Sequence, residues 1–79
     1  MAVKLVFLGR LADVAGGAER EVAAGPLAAV LSALEPGLAA ALREPRIRLA
    51  RNGTLVGDAA GLVLLDGDEL AFLPPVSGG

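Results

Sequence analysis

Apolar and polar positions divide this chain into short stretches, each with its own period. Residues 2–8 are apolar except for Lys4, with Val3, Leu5 and Phe7 on one strand face and Val6 and Leu8 on the other. So continuous a run suits a central strand covered on both sides. Gly9 ends it, and residues 10–17 read as a loop or a single helical turn closed by Gly16-Gly17. Residues 18–24 alternate, Glu19 and Glu21 against Arg20 and Val22, which predicts a partly solvated strand in a hairpin with the first. Gly25-Pro26 signals a helix start with proline at the first helical position. Leu27, Val30, Leu31 and Leu34 then form one apolar stripe, the spacing of a helix face turned to a core. Pro36-Gly37 interrupts that helix, and Leu38, Ala41 and Leu42 resume the spacing before Glu44-Pro45.

Residues 46–51 alternate again, Ile47 and Leu49 against Arg46 and Arg48. Arg51 falls on the apolar side, so the strand ends or bulges there. Asn52-Gly53 is a strong signal for a type I′ hairpin turn, with residues 54–56 returning as a short strand. Residues 62–65 are apolar but too few to classify by period. Asp66-Gly67-Asp68 predicts a tight turn with Gly67 at positive φ. Residues 69–73 form the last strand, Leu70 and Phe72 on one face, Ala71 and Leu73 on the other. The first and last strands are the most apolar and are expected side by side in the sheet centre. The pattern predicts an α+β fold of the β-grasp kind, with a mixed sheet of four to five strands, one main helix and a short second one.

Seventy-nine residues make a single domain, 1–79, and one this small buries only about 60% of its unfolded surface. A hydrophobic content of 54% compensates. The chain has no cysteine, which excludes disulfides and thiolate metal sites, and no histidine, the commonest general base and metal ligand. All seven basic residues precede Asn52, and only acidic charges follow it, so nucleic-acid binding is not expected. The two phenylalanines sit in strands expected to be buried, which removes base stacking. No apolar run reaches the ~18 residues of a membrane span, and no secretory signal is visible. The expectation is a cytoplasmic protein that binds neither nucleic acid nor membrane.

Catalytic groups are scarce. Ser32, Ser77 and Thr54 have no base partner in sight, and Gly16-Gly17 lacks the surrounding signature of a phosphate loop. Asp66, Asp68 and Glu69 do not match a calcium loop, and a polar turn accounts for them. No metal or cofactor is expected on this chain. The exceptional stretch is the tail, Pro74-Pro75-Val76-Ser77-Gly78-Gly79, with no charge after Glu69. Two prolines favour an extended segment that loses little entropy on insertion. Two terminal glycines let the α-carboxylate enter a slot too narrow for a β-carbon. Fully extended, six residues reach roughly 20 Å. Residues 74–79 therefore read as a flexible tail that offers its end to another protein's buried site.

Residues 66–79, Asp66-Gly67-Asp68-Glu69-Leu70-Ala71-Phe72-Leu73 and then the tail, resemble the C-terminal signature of the MoaD-type sulfur carriers, the small subunits of molybdopterin synthase. Asn52-Gly53 and the opening strand are similar too, whereas Arg51 stands where relatives carry an apolar residue. The resemblance implies that Gly79 is the reactive residue. Its carboxylate is adenylated by an E1-like enzyme that uses ATP, then converted to a thiocarboxylate that donates sulfur to a pterin precursor. It implies two partners, that enzyme and the large synthase subunit, the latter in a two-plus-two heterotetramer. Phe72, Leu73, Pro74, Pro75 and Val76 would dock, and Ser77 and Gly78 would thread. The chain itself would act as a sulfur donor with no catalytic side chains. Other sulfur-transfer pathways, conjugation to lysines, or a non-catalytic interaction domain are the alternatives.

Overall fold

Val3, Leu5 and Phe7 point the same way from a strand, β1 (Val3–Phe7), and all three are buried. The computed structural model describes residues 2–75. In chain order the elements after β1 are α1 (Leu11–Ala15), β2 (Glu19–Val22), β3 (Gly25–Pro26), α2 (Leu27–Ser32), α3 (Pro36–Leu42), β4 (Arg48–Arg51), β5 (Thr54–Leu55), β6 (Val63–Leu64) and β7 (Glu69–Leu73). Five strands form one sheet in the order β2-β1-β7-β4-β5. β1 and β7 run parallel, and the other pairs are antiparallel. This is the expected β-grasp arrangement, with the two most apolar strands adjacent.

Register divides the sheet into two faces. The core face carries the rows Arg20–Leu5–Leu70–Arg51 and Phe7–Phe72–Leu49. Against it pack Leu11, Leu27, Val30, Leu31, Leu34, Leu38, Ala39, Leu42, Ile47 and Leu64. The rings of Phe7 and Phe72 stack with centroids 5.8 Å apart and planes 11° from parallel. Both ends of the Leu5 row are arginines, and each meets a carboxylate. Arg20 donates to Glu35 at 2.7 Å and to the Ala15 carbonyl at 2.9 Å. Arg51 lies 3.0 Å from Asp68.

Several details depart from the sequence pattern. The three helices all lie on the core face, so β1 is not covered on both sides; Val6 is half-buried and Leu8 is exposed. No single helix dominates, since α2 has six residues and α3 seven. Pro36 starts α3 instead of standing in a gap, because proline suits the first helical position and holds Glu35 extended at ψ 141°. Pro26 lies one residue before α2, extended at ψ 145°. It pairs with Val63, and the Leu27 N–H donates to the Leu62 carbonyl at 2.9 Å. The unclassified apolar stretch at 62–65 thus contains the two-residue β6, which pins the start of α2.

Two turns meet at the end of the sheet away from the tail. Asn52 and Gly53 have φ of 49° and 85°, as a type I′ turn requires, and Gly67 has φ 90°. Asn52 donates through Nδ2 to Asp68 at 2.9 Å and accepts through Oδ1 from the Glu69 N–H at 2.9 Å. Asp68 also accepts from the Leu65 N–H at 2.8 Å. That backbone donor first, then Asn52 and Arg51, holds the Asp68 carboxyl below its usual range. A depressed folded-state value adds stability above the unfolded value near ~4, lost as pH falls through the folded one. Asp68→Asn should therefore melt below the parent at pH 7, with the gap closing under acid in thermal melts from pH 7 to 2. A gap constant with pH would remove the ionised carboxylate from the lock.

Candidate functional site

The tail leaves from the middle of the sheet. β7 is paired on both sides, to β1 as far as Phe72 and to β4 as far as Leu73, which lies opposite Arg48. Pro74 and Pro75 have no N–H, so the ladder cannot continue through them. Both are half-buried, and Pro74 sits against Gly9 at the end of β1. The root of the tail is therefore held from two sides. Val76, Ser77, Gly78 and Gly79, the remainder of the expected site, lie outside the described residues.

Phe72 was expected in the docking segment, and the structure puts it elsewhere. Its side chain is 0% exposed and stacked on Phe7, because even-numbered β7 residues face the helices. Phe72 holds the tail's strand in place and presents nothing to a partner. Leu73, one residue on, points to the open face and is half-buried.

That open face is a feature the sequence pattern left out. Opposite-residue pairing gives the row Glu19–Val6–Ala71–Ala50–Leu55 and the pair Leu73–Arg48. With Leu8 at 41% and Leu55 at 62% exposure, an apolar stripe runs to the tail root. The parity of Val6, Leu8, Ala71 and Leu73 was a signal for it, misread as a second covered face. Beside the stripe, an open groove of about 660 Å³ runs between residues 45–49 and 56–59, with Pro74 and Pro75 along its edge. Arg46 and Arg48 line it. Arg46 donates to Glu44 at 2.9 Å, a hydrogen bond that lowers the Glu44 carboxyl's pKa. Arg48 has no carboxylate within 4.0 Å among the described residues.

Among the described residues no three His, Cys, Asp or Glu side chains come together in a way that could hold a metal ion. No helix there is long and apolar enough to cross a membrane. Among the described residues no side chain on the core face is both polar and buried. The arrangement can present an end and a face to another protein.

The sequence profile of the ThiS family matches residues 5–79. The chain is 35% identical to the molybdopterin synthase sulfur carrier subunit of Escherichia coli (strain K12), over 98% of this chain and 99% of that protein. Among solved structures it is similar to small archaeal modifier protein 1 from Haloferax volcanii, at 30% identity and a TM-score of 0.79, with 100% of both chains covered. It is also similar to a chain in the complex of subunits 1 and 2 of the molybdopterin-converting factor from Helicobacter pylori 26695. There the identity is 28% and the TM-score 0.67, again with 100% of both chains covered.

The split between Phe72 and the exposed stripe can be measured in the isolated domain. A chain of this length has roughly 4–12 kcal/mol of folding stability. Phe72→Ala should cost about 3–5 kcal/mol in urea denaturation, because it empties a core position. Leu55→Ala should stay within about 0.5 kcal/mol of the parent. Equal effects would contradict the assignment of faces.

Proposed function

Because the chain belongs to the ThiS family of ubiquitin-like sulfur carriers, we propose that it is the sulfur-carrying subunit of a molybdopterin synthase. The observation that carries this reading is the sequence Pro74-Pro75-Val76-Ser77-Gly78-Gly79, set on a central strand whose root is fixed on both sides. A relative with that role, 35% identical and matched over 99% of its own length, supports the choice of pathway.

The chemistry resides in one group. The Gly79 carboxylate attacks the α-phosphate of ATP in an activating enzyme, and pyrophosphate leaves. The acyl adenylate now has AMP as a good leaving group. A sulfur nucleophile displaces it and leaves a thiocarboxylate. In the large subunit two charged carriers each pass one sulfur to a pterin precursor, and the two sulfurs form the dithiolene. Gly78 and Gly79 carry no β-carbon, so a narrow channel can admit them. Leu8, Leu55 and Leu73, with Pro74 and Pro75, supply the apolar seat for each partner. Burying them together excludes water where the tail enters. ATP is bound by the activating partner and the pterin by the large subunit.

A second reading keeps the activated Gly79 and changes the acceptor to a protein lysine. It is favoured by the likeness to small archaeal modifier protein 1, which exceeds that to the molybdopterin-converting factor chain. Reconstitution separates the two. The chain, its activating enzyme, a sulfur source, ATP, the large subunit and the pterin precursor should yield the dithiolene product. Appending one alanine after Gly79 should reduce that yield to background while leaving the thermal melt unchanged. Product formation by the extended chain would overturn the proposal.

A further inference from the structure

Lys4 is the only lysine in the chain; the other six basic side chains are arginines, which lack a primary amine. It lies on the open face in the row Glu21–Lys4–Glu69. Its side chain is 47% exposed, and its nearest carboxylate, Glu19, is 3.8 Å away. A pair that long and that exposed is weak and opens readily. Around this one amine the face is acidic, with Glu19, Glu21 and Glu69.

The other end of the same face is basic. Arg46 and Arg48 stand beside Pro74 and Pro75, where the tail departs. Because β1 and β7 are parallel, Lys4 is level with Glu69, and the tail root lies five residues further along β7. At about 3.3 Å per residue this separates the two ends by about 17 Å. A tail reaching Lys4 of its own chain would have to reverse at two prolines and run back at full stretch. Two copies face no such constraint. The basic tail end of one copy complements the acidic Lys4 end of the next, a head-to-tail encounter of opposite charges.

We propose that Lys4 is an acceptor for the activated C-terminus of a second copy, joining copies through an amide between Gly79 and Lys4. This rests on the reading above that Gly79 is adenylated. In the step, the Lys4 ammonium first releases a proton to water. The neutral amine attacks the Gly79 acyl carbon. A C–N bond forms, the C–O bond to the phosphate breaks, and AMP leaves with the electron pair. The nitrogen then loses a second proton to give the neutral amide. Nothing is oxidised or reduced, and the ATP-dependent adenylating enzyme supplies the activation.

The test incubates the full chain with its adenylating enzyme, ATP and magnesium, with no sulfur source, and reads pyrophosphate release, denaturing gels and peptide mass spectra. The expected result is a covalent dimer whose branched peptide joins Gly79 to Lys4. Lys4→Arg keeps the charge beside Glu19 and should lose the dimer. With sulfide added, it should form thiocarboxylate in the same yield as the parent. Higher salt should slow dimer formation more than pyrophosphate release, because opposite charges steer the encounter. Pyrophosphate release without a dimer would overturn this inference and leave the carrier reading standing, and so would linkage only at the N-terminal amine or a cyclised monomer. No pyrophosphate release would overturn both.

Discussion

The parallel pairing of β1 with β7 is the constraint on which the rest of the domain depends. It joins the first and last strands of the chain and places the last one in the centre of the sheet. A C-terminal strand ordinarily sits where it can fray. Here β7 is hydrogen-bonded on both sides, its Leu70 and Phe72 are fully buried, and Phe72 stacks on Phe7 from the neighbouring strand. The two prolines then stop the ladder. The root of the tail is thus fixed to the sheet, which suits a group that must be delivered at a fixed distance from a docking face.

The second constraint is that the helices lie on one side only. Their three short segments use the apolar stripe of the chain to cover one sheet face, and within the described residues the other is left open. On it an apolar stripe leads to the tail, with acidic groups at one end and basic groups at the other. Core, tail and open face therefore have separate tasks. Under the proposed function the core sets stability, the tail carries the reactive carboxylate, and the open face selects what approaches. Arg20 and Arg51 show how strictly the division is kept. Each ends a core-face row, and each is drawn to a carboxylate at the rim.

Much of this was legible in the chain itself. Alternation located β1, β2, β4 and β7, and Asn52-Gly53 located the hairpin that both positive φ angles confirm. The misplacement of Arg51 on the apolar side was readable too, though Asp68, its partner across seventeen residues, was not. What sequence period could not show was which apolar face stays uncovered. Val6 and Leu8 have the same character as Val3 and Leu5, and only the placement of the helices distinguishes them. Phe72 posed the same problem, since a docking residue and a core residue are both apolar. Its even position beside Leu70 decides it. Two-residue strands such as β3 and β6 carry no period at all, and they form because each finds the other.

In the proposed function the α-carboxylate of Gly79 is the working group. Intact-mass spectrometry of the protein isolated from its native cell, grown with sulfur available, tests it most directly. The account predicts a population heavier by the difference between one sulfur and one oxygen, with fragmentation placing the change on Gly79. A C-terminal carboxylate unmodified in every molecule, in cells actively making the dithiolene cofactor, would contradict it.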